Sequence, residues 1–126
     1  MNIEATSGPA IDMRAISQLA EDDQLGQQFV VELIDVFLGD LSERVRAIGS
    51  QVRSNDSAGI KMTAHAIRGS CSHFGAVRLM ELSGEIEKKV KSGQTAGLQI
   101  AIDSMVVETK RVRAALEAFR AGNGQP

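Results

Sequence analysis

His65, Arg68 and Gly69 stand at i, i+3 and i+4 in a segment whose apolar residues recur at helical spacing. At about 100° per residue, Ile60, Ala64, Ile67, Cys71 and Phe74 gather on one face of such a helix, and His65 falls about 150° from the middle of that face. Lys61, Arg68, Gly69 and Ser72 lie within about 60° of the histidine on the same wheel. The imidazole is therefore expected to face water, beside two cations and two small residues. A neutral imidazole is a nucleophile, and an ordinary histidine is mostly neutral near pH 7. Phosphorylation of a ring nitrogen gives a phosphoramidate, which donates readily to a carboxylate. Phosphoryl transfer asks mainly for positioning and charge stabilisation. Arg68 and Lys61 supply cations, Gly69 removes a side chain where another protein would approach, and Ser72 keeps the next turn low. A plain solvated helix face is the competing explanation for a histidine among basic residues. Its joint occurrence with Gly69 and a helix-ending Gly75 argues against that explanation.

The elements that would hold this segment are helical. The chain has 126 residues, no Trp, no Tyr and four Phe, so its core must be largely aliphatic. That length suffices for one domain with a core that needs no disulfide or metal. Residues 1–11 read as a flexible leader. Asp12 caps a short first helix that turns Met13, Ile16 and Leu19 inward, followed by an acidic turn at Glu21, Asp22 and Asp23. A second helix over about 24–53 carries Val30, Leu33, Ile34, Phe37, Leu41, Val45, Ile48 and Val52 as its inward row. Phe29, Val31, Val36 and Leu38 widen that stripe, packing beneath the first helix or forming the apolar part of a docking surface. The cluster Ser54 to Ser57 turns and caps a third helix over about 57–74. Fourth and fifth helices follow over about 77–91 and 95–120, and 121–126 reads as a flexible tail. Short links between long amphipathic segments favour an all-α fold, an antiparallel up-and-down four-helix bundle with a short extra N-terminal helix, in one domain over 12–120.

Composition also excludes function classes. A formal net charge of -2 lacks the basic excess of a nucleic-acid binder. No early segment resembles a signal peptide and no run approaches a membrane span, which favours the cytoplasm. Cys71 is the single cysteine and falls on the apolar stripe, as a buried thiol would. His73 lies eight residues beyond His65, too far for the i, i+4 spacing of a shared zinc site, and lacks the basic and glycine partners that follow His65. Glu85 and Glu87 with Lys88, Lys89 and Lys91 read as a salt-bridged, solvated face. No glycine-rich phosphate loop is present, so no motif supports phosphorylation from ATP.

The run from His65 to Gly75 resembles the histidine-containing phosphotransfer (HPt) domain of multistep phosphorelays. His65, Ile67, Arg68, Gly69, Ser70 and Gly75 match that family's pattern, and Ala64 supplies the small residue before the histidine. The likeness extends over about 12–119. It implies a four-helix bundle with a short N-terminal helix, and His65 as the phosphoacceptor. It implies that Arg68 holds the phosphoryl group and that Gly69 makes room for a receiver domain. That partner, or a hybrid sensor histidine kinase, would supply the aspartate and Mg²⁺, with no cofactor of the chain's own. The chain would act as a monomeric phosphocarrier rather than a kinase. Where the family often carries a glutamine near the histidine, this chain has Glu87, with Lys88 and Lys91 nearby to offset its charge. The alternative is an adaptor that binds or sequesters a response regulator without transfer.

Overall fold

A computed structural model describes residues 9–22 and 27–123. Among these residues there are five helices and no strand: α1 (Met13–Asp22), α2 (Gln27–Arg53), α3 (Ser57–His73), α4 (Val77–Lys91) and α5 (Leu98–Asn123). Helix α2 packs on α3 and α5, and α4 packs on the same two, so α3 and α5 occupy opposite corners of the bundle. The links at 54–56, 74–76 and 92–97 are too short to cross the bundle, and consecutive helices therefore run antiparallel. Helix α1 leans on α2 outside this square.

The interior is aliphatic. Ile16, Ile34, Leu41, Ile48, Ile67, Leu79, Ile86, Met105 and Leu116 are fully buried. Burial of each such side chain contributes about 1.5–3 kcal/mol relative to exposure. Phe37 on α2 and Phe74 after α3 stack with ring centroids 4.3 Å apart. Aromatic pairs of this kind add about 0.5–1.5 kcal/mol beyond burial. It locks the C-terminal end of α3 to α2.

Several expectations need correction. Ala10 and Ile11 belong to the core instead of a loose leader. Their burial is coupled to the Asp12 backbone N–H, which donates to the Gly75 carbonyl at 2.7 Å and draws this segment onto the α3–α4 turn. Met13 points outward, while Ile16 is buried. Val36 and Phe29 are exposed, and only Leu38 of the widened α2 stripe is buried. Helix α5 continues through Ala121 and Gly122 to Asn123, beyond the expected end at 120, and starts at Leu98 after a left-handed Gly97. The side chain of Leu19, and Asp23 of the acidic turn, lie outside the described residues, as do 1–8, 24–26 and 124–126.

Gly75 sits at φ 65°, and a Cβ there would meet the Asp12 carbonyl oxygen at 2.7 Å and the Ala15 side chain at 3.0 Å. Gly75→Ala should therefore destabilise the fold by about 2 kcal/mol, read from the urea midpoint. A loss below about 0.5 kcal/mol would contradict this close approach. Burial also pushes the Cys71 thiol up to about 12, so it stays protonated and unreactive through the neutral range. Thiol reagents near pH 8 should leave the native protein unlabelled and modify one thiol per chain in urea. Rapid labelling of native protein would show that the apolar face of α3 is open.

Candidate functional site

The site begins with the start of α3. Asn55 adopts φ 57°, turning the chain sharply after α2, and the Asp56 carboxylate accepts the Gly59 N–H at 2.9 Å as an N-cap. Such caps are worth about 1 kcal/mol. Gly59 leaves room for this cap, because a Cβ there would crowd the Asp56 carboxylate. With the start fixed, Ile60, Ala64, Ile67 and Cys71 turn into the core. The helical period then sends His65 outward, and its side chain is 70% exposed.

Helix α4 runs alongside in the opposite direction, with Leu79, Leu82, Ser83 and Ile86 buried. Glu87 follows Ile86 on the shoulder facing α3. Its carboxylate spans two α3 residues: Oε2 lies 3.3 Å from His65 Nδ1, and Oε1 lies 3.4 Å from Arg68 Nε. The carboxylate is only 14% exposed, while Arg68 is 45% exposed. Arg68 also lies over Gly84, whose missing Cβ would stand 3.9 Å from Nη1. Arg68 is thus a tethered cation and not a free one. With Nδ1 turned to the Glu87 carboxylate and the side chain 70% exposed, the ring stands at the surface of the α3–α4 seam.

A surface depression of about 440 Å³ beside the ring is lined by Ala58, Lys61, Met62, His65 and Glu87. Lys61 therefore shares the histidine's surroundings. Ser72 donates its hydroxyl to the Gly69 carbonyl at 2.7 Å, which keeps that hydroxyl folded against the helix. Lys88 and Lys91 are exposed and form no ion pair with a described residue. His73 is exposed in the last turn of α3, about 12 Å along the axis from His65. No group of three or more His, Cys, Asp or Glu side chains that could hold a metal occurs among the described residues.

Two contributors escaped sequence reasoning. Met62, 74% exposed at i−3 from His65, places a flexible apolar side chain at the rim. Its absence from the core row of α3 was the available signal. Gly84 has no signature beyond being three residues before Glu87. A groove of similar size, about 450 Å³, lies between α2 and α5 and is lined by Arg46, Arg53, Lys110 and Arg113. Its lining contains no histidine or cysteine.

Residues 32–122 match the Hpt domain family. The phosphorelay protein LuxU of Vibrio cholerae is 27% identical over 96 residues, which cover 76% of this chain and 83% of that protein. LuxU of Vibrio harveyi is 30% identical over 84 residues, covering 67% and 72% respectively. Among solved structures, the histidine-containing phosphotransfer protein B of Pseudomonas aeruginosa PAO1 superposes with a TM-score of 0.83 at 28% identity, covering 91% of this chain and 97% of its own. The HPT domain of a Shewanella sensor hybrid histidine kinase, at 21% identity and a TM-score of 0.73, shares the fold.

Gly69 is exposed, and a Cβ at that position would meet nothing within 4 Å. Among the described residues nothing requires glycine there, although glycine costs a helix about 1 kcal/mol relative to alanine. Gly69→Ala should consequently raise stability by about 0.5–1 kcal/mol, seen as a higher urea midpoint. A lower midpoint would mean that the space above Gly69 is needed by the fold itself.

Proposed function

The chain belongs to the Hpt domain family, and from that premise we propose that His65 is the residue that carries the phosphoryl group. Histidine phosphotransfer in a two-component phosphorelay is the function of the chain. The observation that carries the residue assignment is an outward imidazole, 70% exposed, whose Nδ1 lies 3.3 Å from Glu87 Oε2.

In this reading Nε2 attacks the aspartyl phosphate of a receiver domain in line, and Arg68 and Lys61 balance the charge on the phosphoryl oxygens. Gly69 and Ser72 leave the next turn of α3 low, so the receiver can bring its aspartate close to the ring. Met62 and Ala58 offer it an apolar contact at the rim. The receiver contributes Mg²⁺, and the chain needs no cofactor of its own. Receiver domains of response regulators and hybrid sensor histidine kinases are its partners. It acts as a monomeric cytoplasmic phosphocarrier and not as an ATP-dependent kinase. Among the described residues no helix is long and apolar enough to cross a membrane.

Incubation with a phosphorylated receiver and magnesium should place label on His65, and His65→Gln should take up none. Label persisting in that variant would move the assignment to His73. A His65→Ala strain with unchanged signalling would instead favour the non-transferring adaptor. Gly69→Ala, which should fold at least as well, is expected to slow transfer by hindering the receiver.

A further inference from the structure

We propose that the groove between α2 and α5 is a second docking surface, one that takes an acidic amphipathic helix of a partner protein. The inference does not depend on the assignment of His65, because this groove lies across the bundle from the α3–α4 seam. Four cations line it, Arg46 and Arg53 from α2 with Lys110 and Arg113 from α5, and among its lining residues Asp103 is the sole carboxylate. That local balance runs against the chain as a whole, whose formal net charge is -2.

Most of this charge is left uncompensated. Arg46, Arg53 and Lys110 are exposed, and none forms an ion pair with a described residue. Arg53 folds back over Gly49, where a Cβ would stand 3.6 Å from Nη1, so its charge hangs over the groove. Asp103 accepts from the Gln99 amide at 3.0 Å and not from an arginine. Arg113 is the tethered member: it donates to the Ser42 hydroxyl and the Leu38 carbonyl, and Glu117 lies 3.7 Å from its Nη1. Those bonds set the register of α5 on α2. Like charges gathered in this way repel one another, and carboxylates brought from outside relieve that repulsion.

Between the two charged banks the floor is apolar, formed by Val45, Ile102 and Val106. The Thr109 hydroxyl is already spent on the Met105 carbonyl at 2.8 Å. An occupant must therefore offer apolar side chains below and carboxylates on both flanks. From Ser42 to Arg53 the α2 bank runs about 16 Å, roughly three helical turns. Arg46 and Arg53 stand about two turns apart on it. A helix with an apolar seam at i, i+3, i+4 and i+7 and acidic residues on either side meets both demands. Nucleic acid fits less well, since no aromatic side chain lines the groove for base stacking and its floor would face phosphates. A lipid surface fits less well too, because the apolar residues are recessed between two helices instead of projecting.

The test uses the full chain and a fluorescein-labelled synthetic peptide of about 14 residues, with a leucine seam flanked by glutamates. Fluorescence anisotropy should show saturable binding that weakens as salt is raised. Replacing the peptide's glutamates by glutamines should weaken it on the order of tenfold, as should the charge reversal Arg46→Glu with Lys110→Glu. The neutral pair Arg46→Gln with Lys110→Gln should fall between wild type and the reversal. Amide shifts should map to α2 and α5, and label uptake on His65 from a phosphorylated receiver should proceed with the peptide bound. Absence of saturable binding, equal binding by the reversed protein, or shifts centred on the α3–α4 seam would overturn the proposal. Duplex DNA or phosphatidylglycerol vesicles binding more tightly than the peptide, with the same sensitivity to the reversal, would overturn it in favour of those partners.

Discussion

The rotational setting of α3 governs the site, because a helix turned by a single residue about its axis would carry His65 away from both solvent and Glu87. Four buried side chains, Ile60, Ala64, Ile67 and Cys71, hold that rotation against the bundle. The Asp56 cap anchors one end, and Phe74 stacked on Phe37 anchors the other. None of these residues lines the depression beside His65. They nevertheless decide which nitrogen of the imidazole meets a partner, because they determine what the other nitrogen can reach on α4.

Electrostatics at the seam depend on arrangement more than on total charge. The chain is slightly acidic overall, yet the surroundings of His65 combine one largely buried carboxylate with cations at the rim. The Glu87–Arg68 contact joins a largely buried carboxylate on α4 to a half-exposed guanidinium on α3 and so ties the two helices' side chains together at the seam. Arg68 is kept close to the ring, with part of its side-chain freedom already given up to that contact.

The four long helices were legible because each keeps its apolar period over at least three turns, and the glycine after α3 was legible because its left-handed φ leaves few alternatives. The exposed position of His65 followed from the same wheel. Other features depended on contacts that period cannot encode. Ala10 and Ile11 are too few to show any periodicity, and their burial comes from a backbone hydrogen bond to a residue more than sixty positions away. Glu108, 1% exposed and bonded to Arg111 at 2.9 Å, sits on the inward side of α5 where charge was not expected. Met13 satisfied the spacing for burial, yet the short α1 leans on α2 in an orientation that leaves it outside. The contact of Glu87 with both His65 and Arg68 required the relative register of α3 and α4, which no single helix specifies.

Helix α3 is a poor helix by composition. Its 17 residues include Gly59, Gly69, Thr63 and His65, and it carries no acidic side chain in its first turn. Detached from its neighbours, a segment of that length and propensity would be largely unstructured in water. The His65 segment is thus not portable: a peptide spanning it would possess the residues but neither the cap, the apolar support nor Glu87 across the seam. Recognition by a receiver would then require the whole bundle to be intact, which ties signalling competence to folding and leaves unfolded or fragmented copies silent.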